Sequence, residues 1–120
     1  MIVLRNEASE IITRFNKSYP INCGIVFKLL HPRENGLPNL QAEPRLKELE
    51  QEIFDVFELD FQSIVPVIVS TSGVRQYIMY TNDLDEYSKR LDKIRSKFKE
   101  YNFITCSDKD INWETYQSFS

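Results

Sequence analysis

The sequence predicts an α+β domain with the ferredoxin-like order β-α-β-β-α-β. The expected form is a four-stranded antiparallel sheet with both long helices on one face, plus an N-terminal helix and a C-terminal helical turn. Three observations carry this. Two segments, around Gln41–Glu58 and Leu84–Phe98, repeat apolar residues at three- and four-residue steps. Short β-branched runs lie between and around them, two joined by a tight Thr71-Ser-Gly-Val74 turn. Helical and extended patterns also alternate in the order of a split βαβ unit. The 120 residues suffice for one domain, 1–120, with no linker-like stretch and no internal repeat.

The elements follow from local chemistry. Asn6 to Ser18 places Ala8, Ile11, Ile12 and Phe15 at helical spacing, and Tyr19-Pro20 stops it because a residue before proline disfavours the helical region. Asn22 to Leu30 is the first strand, with Ile25, Phe27 and Leu29 on one face and Val26, Lys28 and Leu30 on the wetter one. The breaker-rich His31–Asn39 segment reads as a loop. The helix that follows sets Leu46, Leu49, Ile53 and Val56 or Phe57 on a stripe, with Pro44 in its first turn. Ile64–Thr71 and Val74–Tyr80 form a hairpin in which Gly73 supplies positive φ. Thr81-Asn-Asp83 caps a helix whose stripe is Leu84, Tyr87, Leu91, Ile94 and Phe98. Tyr101 to Cys106 is a fourth short strand, and Asp108 to Tyr116 a helical turn with Trp113 and Tyr116 on one side. In this topology the first and last strands are antiparallel neighbours, so Cys23 and Cys106 are expected close together.

Composition narrows the function. Hydrophobic residues at 42% and charged residues at 28% exclude a disordered chain. A net charge of −3 argues against coating nucleic acid or an anionic membrane. The longest apolar run, Ile64 to Val69, is far short of the about 20 residues of a membrane span. The start of the chain has no basic region and no small-residue cleavage site, which points to a cytoplasmic protein. Two cysteines do not make a disulfide scaffold, and no CxxC spacing or ligand set suggests a metal, so no cofactor is expected. His31, the one histidine, lacks a nucleophile elbow or other catalytic context. No phosphate-binding glycine loop is present, and no catalytic residue is assigned. The acids Glu43, Glu48, Glu50, Glu52, Asp55, Glu58 and Asp60 crowd the second helical segment, as a solvated face or a docking surface for a basic partner. The order is also that of an RNA-recognition motif, and Tyr77-Ile-Met-Tyr80 echoes its aromatic strand. The glycines and basic start of that pattern are missing.

Thr71-Ser-Gly-Val-Arg75-Gln-Tyr77-Ile-Met-Tyr80-Thr-Asn-Asp83, with the later Asp110-Ile-Asn-Trp113-Glu-Thr-Tyr116, resembles a bacterial family, domain-of-unknown-function family 695. That family shows a T-x-x-G-x-R-x-aromatic-x-x-Tyr hairpin and a D-x-x-W-x-x-Tyr tail, and Gly36-Leu-Pro38 fits its G-x-P element. The chain departs from the family pattern at Phe27, Leu29 and Tyr77, where Trp, Tyr and Trp are the expected residues. The family has no established activity. Some members are similar to, or fused with, ribonuclease-regulator domains that act by binding protein, and the resemblance therefore implies an adaptor or inhibitor role.

The first expectation is therefore a non-catalytic protein-binding or regulatory domain, in its sharpest form an immunity or inhibitor protein against a basic toxin or nuclease, its partner unidentified. Arg75, Tyr77, Tyr80, Asp110, Trp113 and Tyr116 are the candidate binding residues. If the tail folds across the sheet, Arg75 can stack on the Trp113 indole or pair with Asp110. An Arg75–Trp113 groove for a small or hydrolysable ligand is the second expectation, and RNA binding the third.

Overall fold

The computed structural model describes residues 2–4, 18–30, 34 and 40–119. The helix expected over Asn6–Ser18, His31 and the Gly36-Leu-Pro38 element lie outside the described residues, Ser18 apart. Within them, strands β1 (Ile2–Leu4), β2 (Ile21–Lys28), β3 (Ser63–Thr71), β4 (Val74–Thr81) and β5 (Ile104–Lys109) form one antiparallel sheet. Helices α1 (Glu43–Phe57) and α2 (Leu84–Lys97) and the short α3 (Glu114–Gln117) complete the elements of the described residues.

The α+β class holds, but the sheet has five strands rather than four. The fifth is β1, whose Ile2, Val3 and Leu4 pair with Val69, Ile68 and Val67 at the edge of β3. Three residues are too few to display a strand period, which is why the sequence pattern does not reveal it. The strand order is β1-β3-β4-β2-β5.

Alternation decides which side chains go where. On one face, Cys23, Ile25 and Phe27 of β2 and Tyr77 and Met79 of β4 meet Leu46, Leu49, Ile53 and Phe57 of α1 and Tyr87, Leu91 and Ile94 of α2. The two helical stripes read from spacing are thus the buried ones. Arg45 locks the helices together: its guanidinium lies 4.1 Å over the Phe98 ring and donates to the Lys97 carbonyl and the Glu100 carboxylate. The opposite face holds a second cluster, Tyr19, Ile64, Val67, Ile78, Tyr80 and Trp113.

A bulge in β3 makes the second cluster possible. Ile64 pairs with Tyr80 and Val67 with Ile78, so β3 advances three residues while β4 advances two. The extra residue returns Val67 to the face of Ile64 and sends Ile68 to the helix side with Val65. Pro66, which has no N–H to offer the ladder, sits at that irregularity.

The hairpin turn follows expectation. Ser72 and Gly73 both have positive φ, 53° and 77°, as a two-residue turn with the right-handed strand twist requires. Asp83 caps α2 by accepting from the Glu86 N–H at 3.1 Å. The last strand is shifted from the expected Tyr101–Cys106 to Ile104–Lys109. Tyr101 and Phe103 are instead buried edge-on against Phe27 in the connection, and every β5 residue is exposed. The pairing of β5 with β2 is fixed by backbone hydrogen bonds and carries no hydrophobic signature.

Candidate functional site

The six sequence-predicted site residues divide between the two faces of the sheet. Arg75 and Tyr77 face α1, while Tyr80, Asp110, Trp113 and Tyr116 lie on the other face. The expected Arg75–Trp113 groove and Arg75–Asp110 pair are therefore corrected: the sheet itself stands between these groups. Residues two apart in β4, such as Arg75 and Tyr77, share a face, and Tyr80 falls on the other by parity.

The tail residues form a clasp. The Trp113 indole stacks on Tyr80 with ring centroids 3.8 Å apart and planes 6° from parallel. Its Nε1–H donates to the Tyr19 carbonyl at 2.8 Å, and the whole side chain is buried. The Tyr80 hydroxyl donates to Asp110 at 2.7 Å, and Asp110 also accepts from the Glu114 and Thr115 N–H groups that open α3. Burial alone would raise the Asp110 carboxyl, but those donors outweigh it and hold it below the usual carboxylate range. Burial, helped by Asp110, pushes the Tyr80 phenol up. The D-x-x-W-x-x-Tyr spacing is explained by this geometry: Asp110 caps the turn, and Trp113 and Tyr116, in edge contact, close the sheet face.

Neither aromatic strand offers a stacking platform. Phe27 and Tyr77 are covered by the helices and Tyr80 by the indole. Cys23 and Cys106 sit one rung apart, Cys23 opposite Ser107 and Cys106 opposite Gly24. Alternation turns them to opposite faces, Cys23 buried and Cys106 exposed, and both are free. Burial pushes the Cys23 thiol well up. Among the described residues no three of His, Cys, Asp and Glu converge on a metal position. No helix among them is long and apolar enough to cross a membrane.

Each of the seven acids in the α1 region has a local partner. Glu43 pairs with Lys47, Glu48 with Arg45, Glu50 with Arg75, Glu52 with Lys97 and Asp60 with Arg90. Asp55 accepts from Gln51, and Glu58 from the Val65 N–H at 2.7 Å. The α1 face as a whole is thus a solvated, internally matched surface.

Its C-terminal end differs. The α1–β3 turn presents Leu59 and Phe61 to solvent, 78% and 61% exposed. Phe61 has φ 60°, a left-handed conformation that costs a residue with a side chain about 1–2 kcal/mol. The turn is nonetheless held from four directions. Arg90 grips both Asp60 oxygens at 2.7 and 2.8 Å and donates to the Val56 carbonyl. The Tyr19 hydroxyl donates to the Phe61 carbonyl at 2.5 Å. Glu58 accepts from Val65, and Gln62 reaches Thr81 and the Asp83 carbonyl. The Arg90 hydrogen bonds hold the Asp60 carboxyl at about 2, against an ordinary 3.8.

An acidic collar lies beside this tip: Glu58 and Asp60 from the turn, Asp83 joined to it through Gln62, and Glu86 joined to it through Arg90. Arg90 answers Asp60 and Glu86. Glu58 and Asp83 each accept from a backbone N–H group, of Val65 and Glu86 respectively. Sequence reasoning did not single out Leu59 and Phe61, which fall between the α1 stripe and the β3 run. The acids at Glu58 and Asp60, which interrupt that stripe, were the available signal.

No curated protein and no solved structure matches the chain. A family of unknown function, DUF695, matches residues 3–120, spanning the hairpin, the clasp and both helices, and the chain belongs to that family.

Proposed function

We propose that this chain is a non-catalytic protein-binding domain that docks through the Leu59–Phe61 tip onto a basic partner. The partner's site is an apolar pocket rimmed by Lys and Arg. One observation carries the reading: two large apolar side chains are displayed in water on a turn strapped by hydrogen bonds into an unfavourable backbone conformation. Solvent-exposed apolar groups gain nothing from being held so, whereas a pre-formed anchor loses less entropy on association. The acidic collar selects the sign of the partner and speeds its capture. An immunity or inhibitor protein against a basic toxin or nuclease is the sharpest form of this role. The free cysteines support a reducing, intracellular setting. The antiparallel order β3-β4-β2-β5 under α1 and α2 supports reading that unit as ferredoxin-like, with β1 added at its edge.

The test compares wild type with a Leu59→Ser/Phe61→Ser variant as bait, followed by titration with the purified captured protein. The expected result is a basic protein retained by wild type, lost with the variant and weakened by salt, the variant melting as wild type does. Equal retention of that protein by both baits overturns the proposal. So does a wild-type chain whose tip is covered by a second copy of itself in sedimentation.

A further inference from the structure

At the other end of α1, on the helix side of the sheet, a cavity of about 250 Å³ opens between β1, α1 and the β3–β4 hairpin. Its floor is apolar, from Val3, Leu46 and Ile68, and its walls carry Arg75 and Glu50. We propose that this cavity binds a small zwitterion with an aliphatic body, the chemistry of a free aliphatic α-amino acid. The site is separate from the docking tip and does not depend on it.

Arg75 is the reason. Its side chain is only 11% exposed, yet its contact with Glu50 is long, 3.4 Å from Nη1 to Oε1. Its Nε is buried with no acceptor among the described residues. A guanidinium carries five donors, and taking one out of water with so few acceptors is costly. Glu50, by contrast, has a second and shorter partner, the Tyr77 hydroxyl at 3.0 Å. Glu50 therefore stays paired if Arg75 turns toward an incoming carboxylate. An Arg–carboxylate fork would satisfy the guanidinium better than the present contact does.

Charge fixes the rest of the ligand. Among the described residues the lining holds two cations, Lys47 and Arg75, and two acids, Glu43 and Glu50, which balance. A carboxylate alone would bring a third negative charge beside Glu43 and Glu50, whereas an accompanying ammonium restores the balance. Val3, Leu46 and Ile68 take an aliphatic body. The volume lies below the about 300–1,000 Å³ of drug-sized sites, which limits the ligand to metabolite size.

The probes are L-leucine, 4-methylpentanoate and isopentylamine, titrated into the full chain and followed by backbone amide shifts. L-leucine is expected to give saturable shifts at Ile68, Ser70 and Arg75, with each single-headed analogue at least tenfold weaker. Arg75→Gln should weaken leucine at least tenfold. Glu43→Gln, on the exposed rim, should weaken it severalfold without touching the buried network, which keeps the test valid if Arg75→Gln does not fold. No saturable leucine shift overturns the proposal, as does 4-methylpentanoate binding as tightly as leucine.

Discussion

Replacing Phe61 separates a displayed anchor from a core residue by the sign of one comparison. If Phe61 is strained and mostly in water, Phe61→Gly should yield a more stable protein than Phe61→Ala, the reverse of the usual order. Both variants lose the same ring. With 61% of Phe61 exposed, that loss is a minor part of the about 1.5–3 kcal/mol for full burial of such a side chain. Ala at φ 60° retains the about 1–2 kcal/mol left-handed penalty, which Gly escapes. Gly gives back about 0.5–1 kcal/mol through its freer unfolded chain. At the middle of both ranges the balance favours Gly over Ala by about 0.75 kcal/mol, and both should lie within about 2 kcal/mol of wild type. Urea unfolding of the three proteins, read at unchanged slope, measures it. Ala equal to or more stable than Gly would refute the strained conformation. A loss of more than about 3 kcal/mol in both would show a core residue instead of an anchor.

The clasp should behave in the opposite way. Trp113→Ala removes a buried indole and its bond to Tyr19, and should cost about 3–5 kcal/mol in chemical denaturation. Tyr80→Phe keeps the stack and loses the hydroxyl bond to Asp110, and should cost about 1 kcal/mol. In the hairpin, Ser72→Asn should raise stability by up to about 1 kcal/mol, because Asn-Gly suits a turn with two positive φ angles better than Ser-Gly. Asp60 and Asp110 are both depressed in the folded state, so the stability they add is fully present above the ordinary carboxylate value. The Asp60 part is lost as pH falls from about 4 through about 2, and Asp110, also depressed, adds to the same acid limb. Arg90→Met should flatten that acid limb in a pH series of thermal melts, and an unchanged limb would count against the Asp60 clamp.

Much of the fold was legible in side-chain period. The stripes of α1 and α2, the β2 alternation, the Asp83 cap and the Ser72-Gly73 turn are local signals that the tertiary structure uses unchanged. What period does not carry is pairing by backbone alone. β1 is too short to show it and β5 too polar, so one strand was missed and the other displaced by three residues. The β3 bulge is a similar case, since Ile64 to Val69 is apolar on both faces and conceals the phase change. The candidate site was half legible. Of the candidate binding residues, Tyr80, Asp110, Trp113 and Tyr116 come together in the clasp, while Arg75 and Tyr77 meet Glu50 on the other face. The single groove failed because the tail was expected on the Arg75 face of β4, whereas α1 covers that face and the tail covers the Ile78–Tyr80 face. Leu59 and Phe61 were invisible as surface residues because exposure is set by the strapped turn, through contacts with Tyr19 and Arg90 that are distant in sequence.

The role assigned to the tip is tested most directly by hydrogen–deuterium exchange of the chain with and without its purified partner. Binding through the tip predicts slowed exchange in residues 59–62 and in the adjoining 82–86 segment, with β5 and the Asp110–Tyr116 clasp unchanged. Protection centred on β5 or the clasp, with residues 59–62 exchanging as in the free chain, would contradict it.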